Sequence, residues 1–561
     1  MAFNWLNLAA STNLSWTSCY EGFQCARLSV PLLYSNHSAG EAQLALVKLP
    51  SKYSSGHANY RGPLLFNPGG PGNSGVQFVV DGAAYFRDIL GPEYDLVGFD
   101  PRGVGATTPF LSVFKDPAEA LQFYSTYPLV SEATETAFGQ EFAQSQILGR
   151  LAFERAKEVA ESVTSLTAAN DMMSIIKAFG VDKLNYWGVS YGSVIGATFA
   201  AKYPDNVGRL VIDGVVNSHQ WYGGRDEVGA LVDADKALES IYEACVSSGP
   251  SACALHESST ALIAARVQKL IDKVRRAPVQ VLTGNGTSLA FGVVDYNVLL
   301  TQLYATTFFP YRLAPAVFAA LAQLERGDGS ALFSGSTTQG IDSLSTCSYN
   351  SSEPYVAGVL DISLAVLCGD NTSPDVPTLE ESYSWYQEAT KQSPQFTGSY
   401  YGTHRGACAG WTIRGKDKLD ASFATNTSYP LLIISNTLDP VTPITSARNM
   451  SAGFAGSVLL QQNSTGHMSM SGFSTCTAQA IRAYFADGIL PAHATVCQPD
   501  GAIFEPLRGP TSPFPRAAQA EFHVGEGDLE GAVRALAMSG IFEKAGPVGI
   551  WRKMGMGWAA K

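Results

Sequence analysis

A chain of 561 residues, 46% hydrophobic and 11% aromatic, is long and apolar enough to bury large cores, which excludes a mainly disordered, collagen-like or coiled-coil protein. Its 37 basic residues face 49 acidic ones, a net charge of −12 without any Lys/Arg run, so nucleic acid and anionic membranes are excluded as natural partners. No apolar stretch reaches the roughly 18 residues that span a bilayer, and a charged content of only 15% implies a neutral polar surface of the kind that suits a secreted protein.

In chain order, Met1 to Ala10 has neither a basic start nor an unbroken apolar run, so no signal peptide is evident there. Cys25 to Pro50 reads as two antiparallel strands separated by a polar turn with Asn36 and Gly40. Short apolar runs then alternate with helical patterns: GPLLFN, YDLVGFD, LNYWGV and GRLVIDGV are strand-like, and SLTAANDMMSIIKAFG carries helical spacing up to Gly180. From 217 to 404 helical segments dominate, among them VGALVDADKALESIYEACV and SSTALIAARVQKLIDKVRR, whereas YPLLIISN and GSVLLQQN resume the strand pattern. The expectation is an α/β fold with a mostly parallel central sheet flanked by helices and interrupted by an inserted, mainly helical cap. Residues 1–216 form the first part of its core, 217–404 the cap, 405–505 the second part of the core, and 506–561 a tail of unassigned role with a helical pattern from Leu529 to Ala537.

Nine cysteines without a CxxC spacing suggest disulfides rather than a metal site, and short-range pairs such as Cys19 with Cys25, Cys245 with Cys253 and Cys476 with Cys497 would close small loops. One cysteine must stay unpaired. Glycosylation sequons begin at Asn13, Asn36, Asn285, Asn350, Asn371, Asn426, Asn449 and Asn463. Both features point to a secreted or secretory-pathway protein.

The chemistry is expected at Gly188-Val189-Ser190-Tyr191-Gly192, between a buried strand and a helix rich in small residues. A bare GxSxG is weak in a chain with 54 glycines; the strand-turn-helix setting is what makes Ser190 a candidate nucleophile. Its hydroxyl needs a base, and the base an acid to orient it. His467 follows a predicted strand in SVLLQQNSTGHMSM, and Asp439, 28 residues earlier, follows another in PLLIISNTLDPVTP, giving the chain order Ser, Asp, His of the α/β-hydrolases. The plainer readings are a turn histidine and a helix N-cap aspartate. GPLLFNPGGPGNSG supplies a loop poor in side chains, so the N–H groups of Gly70 and of Tyr191 are expected to form an oxyanion hole. DPRGVG, Asp100 to Gly105, is expected to shape the sheet edge and to fix that loop through Arg102. This chemistry requires neither metal nor organic cofactor.

The motifs NPGGPGNSG, DPRGVG, GVSYG, LVIDGVV, LDPVTP and STGH, in this order, resemble the tripeptidyl aminopeptidase-like branch of the prolyl aminopeptidase family of α/β-hydrolases, in its secreted fungal and actinomycete form, over roughly Trp16 to Pro499. The resemblance implies a serine exopeptidase that takes short peptides or single residues from free N-termini, with cap carboxylates recognising the amino group. Pro68-Gly69-Gly70-Pro71-Gly72 stands where prolyl iminopeptidases read HGGPG, which favours the tripeptidyl branch. Asp226, Glu227, Asp233 and Asp235 are the candidate cap acids, against the plainer reading of a solvated helix face. Rival readings are an esterase acting on a secondary metabolite's ester, lactone or thioester, and a catalytically silent binding protein; aspartate-nucleophile chemistry would need Asp where Ser190 stands.

Overall fold

The computed structural model describes residues 3–225, 227–284, 290–337, 358–372, 376–505 and 529–541. Among the described residues, ten strands form one sheet: β1 Thr17–Ser18, β2 Gln24–Leu33, β3 Asn36–Leu49, β4 Pro63–Asn67, β5 Asp95–Phe99, β6 Leu184–Val189, β7 Val207–Asp213, β10 Leu432–Leu438, β11 Val458–Thr465 and β12 Val496–Cys497. Their order is β1-β2-β3-β5-β4-β6-β7-β10-β11-β12. The first three are antiparallel to their neighbours, and from β5 to β12 every pairing is parallel. A parallel strand covered on both faces reads as a continuous apolar run, which is why β4 and β5 are buried at every position. Successive side chains of β4 enter different cores: Leu64 and Phe66 pack with Phe78 and Phe86 of the helix Gly75–Leu90, and Leu65 packs with Met172, Ile175, Ile195 and Phe199 across the sheet.

Between β7 and β10 lie helices Ala234–Ser248, Thr260–Arg276, Tyr296–Phe308, Pro310–Glu325 and Val359–Asp370. This stretch also holds a two-stranded antiparallel hairpin, β8 Val279–Thr283 with β9 Ala290–Val294, which the sequence reading did not anticipate. Leu282, Phe291 and Val293 on it are exposed, so it lacks the buried run that marks the strands of the main sheet. The 24-residue helix Ala137–Ala160 was not anticipated either. It buries Ala137, Glu141, Ser145, Leu148, Gly149, Ala152, Ala156 and Ala160, a helical stripe in which Leu148 is joined by small and polar residues, with little apolar periodicity. The stripe suits the close approach of the segment Gly406–Gly410, because a Cβ on Gly149 would overlap the Gly410 carbonyl.

Four disulfides close: Cys19–Cys25, Cys245–Cys253, Cys476–Cys497 and the longer-range Cys368–Cys408. Cys347 lies outside the described residues, as do the sequons at Asn285 and Asn350. No described helix is long and apolar enough to cross a membrane. Near the C-terminus, Leu529–Met538 is helical and buries Ala532, Val533 and Leu536 against Gly75–Leu90, Thr475–Asp487 and the cap helix Pro310–Glu325.

Candidate active site

Three parallel strands end at one edge, and the loops after β6, β10 and β11 carry Ser190, Asp439 and His467. Ser190 occupies the left-handed backbone region at φ 56°, a conformation costly for a side-chain-bearing residue, and its N–H is held by the Asp213 carbonyl at 2.9 Å. The turn is tight enough that a Cβ on Gly192 would sit 2.7 Å from the Asn67 carbonyl oxygen. Glycines therefore stand two residues to either side of the serine.

His467 Nε2 lies 2.8 Å from Ser190 Oγ, and His467 Nδ1 lies 3.1 Å from both oxygens of Asp439. His467 is 1% and Asp439 0% exposed. Thr442 Oγ donates to Asp439 Oδ2 at 2.7 Å and stands 3.1 Å from His467 Nδ1, so its lone pair, not its proton, faces the ring. Nδ1 therefore meets only acceptors and carries the ring proton, which leaves Nε2 free to accept from the Ser190 hydroxyl. Burial alone would raise the Asp439 carboxyl; the facing His467 and the N–H groups of Met468 and Thr442 outweigh it and hold the group below the ordinary carboxylate range. Asp439 also closes an Asx-type turn by accepting from the Val441 and Thr442 N–H groups, so the structural reading and the chemical one coexist in one side chain.

The histidine loop is held by side chains that the sequence did not single out. Asn436 Nδ2 donates to the carbonyls of Gly466 and Met468, Gln462 Nε2 donates to that of Ser469, and the Asp213 carboxylate accepts from the Ser469 N–H and hydroxyl. Burial pushes Asp213 up to about 6, with the two Ser469 bonds opposing the shift. From the cap, the Phe308 carbonyl accepts the His467 N–H at 2.8 Å and the Phe308 ring meets the imidazole edge-to-face. These roles arise from contacts between distant loops, and only LVIDGVV, which contains Asp213, carried any local signal.

The loop after β4 abuts the Ser190 turn. Gly69 has φ +84°, and a Cβ there would lie 2.5 Å from the Val189 carbonyl oxygen. Its N–H is taken by Asn67 Oδ1, whereas no hydrogen bond among the described residues occupies the N–H of Gly70 or of Tyr191. Gly70, Ser190 and Tyr191 share a cavity of about 50 Å³, room for a few water-sized groups, with Gln220, Trp221, Ala230, Tyr400 and His404 among its other walls. Arg102 does not fix this loop. Its guanidinium turns to Asp171 and to the Pro31 and Leu32 carbonyls, because Asp171 offers a buried two-pronged partner. The neighbouring Asp100 does the anchoring, accepting from Ser74 Oγ and from the Val76 and Ala106 N–H groups.

None of the described residues lining the cavity is an Asp, Glu, Lys or Arg. Asp233 pairs with Lys236 at 2.8 Å, and Asp235 is bound by Ser393 Oγ and the Gln395 N–H, so neither carboxylate is presented to the cavity. Glu227 opens the short helix whose last residue, Ala230, is in the wall; Asp226 lies outside the described residues.

A family model described as "alpha/beta hydrolase fold" matches residues 62–235, and one described as "TAP-like protein" matches residues 393–497. Over 511 residues, 88% of each chain, the sequence is 27% identical to the tripeptidyl aminopeptidase of Streptomyces lividans. These matches support the TAP-like branch of the α/β-hydrolases. It is also similar to the serine protease Hip1 of Mycobacterium tuberculosis, 25% identical over 86% of this chain and 91% of that one. Carboxylesterase B of the same organism is 27% identical over 86% and 90%. With this fold and a serine protease among its relatives, the protein is a serine hydrolase.

Proposed function

We propose that the protein is a serine exopeptidase, releasing short peptides or single residues from free N-termini through an acyl-enzyme. The observation that carries this reading is the 2.8 Å contact between Ser190 Oγ and His467 Nε2, with Asp439 behind the imidazole, on the wall of a small cavity roofed by cap residues. Ser190 Oγ attacks the scissile carbonyl while its proton passes to Nε2; the Gly70 and Tyr191 N–H groups take the developing oxyanion. His467 then hands the proton to the leaving amine, and water, deprotonated by the same nitrogen, releases the acyl group. Asp439 holds the imidazole and offsets its positive charge, with Thr442 fixing the carboxylate.

A cavity of this size suits the end of a chain better than a folded loop. Glu227, and Asp226 beside it, remain the proposed acids for the substrate amine; Asp233 is the weaker candidate because Lys236 neutralises it. An esterase reading is favoured by the uncharged lining and by the carboxylesterase relative. Peptides with free and acetylated N-termini, run beside simple esters and scored by mass spectrometry, separate the two. An exopeptidase cleaves the free peptide at a fixed distance from its end and spares the acetylated one. Equal cleavage of both, or ester turnover without peptide cleavage, defeats the proposal. The four disulfides fit an oxidising compartment, and we extend this to secretion.

A further inference from the structure

Asp370 is a carboxylate in a place that elementary electrostatics disfavours. It ends the cap helix Val359–Asp370, where the helix dipole opposes negative charge, and it is only 6% exposed. No basic side chain among the described residues offsets it. What compensates is a set of directed donors. Asp370 Oδ1 accepts the Ser165 N–H at 3.0 Å, at the favourable N-terminal end of the helix Ser165–Ala178, and Oδ2 accepts the Ser165 hydroxyl and Trp221 Nε1, the latter at 2.8 Å. Burial pushes the carboxyl up to about 6; the Ser165 and Trp221 bonds oppose the shift.

The network continues to the reaction centre. Ser165 Oγ is 2.9 Å from the Tyr191 hydroxyl, and since the single Ser165 proton goes to Asp370, Tyr191 is the donor in that contact. Tyr191 follows Ser190 directly, and its ring lies 5.3 Å from that of Trp221. Both residues line the cavity. The chain leaving Asp370 is tied down beside them, with Thr372 N and Oγ both donating to the Tyr222 carbonyl. A well-packed apolar residue could fill the same volume without the desolvation penalty of a carboxylate.

We propose that Asp370 is a positioning residue for the oxyanion side of the site, fixing Tyr191 through Ser165 and the cavity wall through Trp221, so that docking of the cap and stabilisation of the oxyanion depend on one carboxylate. The proposal rests on the serine-hydrolase reading of Ser190 and Tyr191, not on the choice of a peptide substrate. Ser165→Ala cuts the branch to Tyr191, Trp221→Phe cuts the branch to the wall, and Asp370→Asn weakens both. The readouts are kcat and KM on the best substrate found, the rate at which a fluorophosphonate labels Ser190, and the thermal midpoint.

Ser165→Ala is expected to lower kcat and the labelling rate about tenfold with KM within about twofold. Trp221→Phe is expected to raise KM severalfold with kcat held, and Asp370→Asn to show both effects. The double variant Asp370→Asn/Ser165→Ala should label no more slowly than Asp370→Asn alone, because both changes break one chain. Ser165→Ala labelling at the wild-type rate overturns the proposal, and so do single losses that multiply in the double variant. If Asp370→Asn does not fold, Ser165→Ala alone decides by the same criterion. A wild-type protein that is labelled but cleaves no peptide defeats the exopeptidase reading and leaves this one standing.

Discussion

In the proposed mechanism Ser190 owes its chemistry to its hydrogen bond with His467, and its replacement is correspondingly selective. Ser190→Ala removes one oxygen from a preformed turn, so kcat/KM should fall by about 10⁴-fold or more while the thermal midpoint stays within a degree or two; a retained rate in the purified variant would exclude the serine mechanism. Asp213 acts one contact further out, by tethering Ser469 two residues beyond His467. Asp213→Ala should release the histidine loop, and a displacement of about 1 Å at the base is enough to cost about 100-fold in kcat with KM little changed. Normal kcat in a folded Asp213→Ala protein would show that the loop is held without it. The convergence of Ser190, Asp439 and His467 was legible in the sequence because each follows a buried strand and precedes a helix. Thr442, Asn436 and Gln462 were not, because nothing local distinguishes a polar residue that holds a remote loop from one that faces water.

Among the elements, the loop after β4 and the turn after β6 fit backbone against backbone. Gly69→Ala would place a methyl group 2.5 Å from the Val189 oxygen at a positive φ, so it should lower kcat at least 100-fold, with the labelling rate of Ser190 falling in parallel. Wild-type labelling of Gly69→Ala would mean that the loop's shape does not matter to the reaction. The Cys368–Cys408 disulfide joins the end of the helix Val359–Asp370 to the segment Gly406–Gly410, which packs on the helix Ala137–Ala160. Cys368→Ser/Cys408→Ser should lower stability by about 2–4 kcal/mol, read as a fall in the thermal midpoint. The buried strands were legible because parallel strands covered on both faces are apolar throughout. The helix Ala137–Ala160 escaped because its buried stripe is built mainly from Ala, Gly, Ser and Glu around Leu148, and the hairpin of β8 and β9 because it presents apolar residues to solvent. Asp100 takes the duty expected of Arg102 for a similar reason: DPRGVG shows that both are present but not which way either side chain turns.

Across the whole molecule, the helical segments between β7 and β10 lie on the core through polar groups buried under them. Burial pushes Glu141 up to about 8 and Asp361 up to about 7, the Ser131 and Tyr124 hydroxyls opposing the shifts. These folded values lie above those of the unfolded chain, so the folded state keeps protons that the unfolded state has released. The stability they contribute is complete below about pH 4 and is lost as pH rises through about 7 and 8. Asp439, held low, acts in the opposite sense: its contribution is present above about pH 4 and lost as pH falls through its folded value. The thermal midpoint should therefore fall between pH 5 and pH 8, and Glu141→Gln should flatten that slope. A midpoint that rises over this interval would contradict the assignment.

The helix Leu529–Met538, whose position the sequence left without a role, packs on core and cap together and belongs to the folded body. All of these relations serve one convergence, in which loops from β6, β10 and β11 bring a hydroxyl, a carboxylate and an imidazole into contact. The most direct test is mass spectrometry of the protein after reaction with a fluorophosphonate, with the adduct located by peptide mapping. The expected result is one adduct per chain, on Ser190, with concurrent loss of all hydrolytic activity. Undiminished hydrolysis with Ser190 fully modified, or inactivation by an adduct on another residue, would contradict the account.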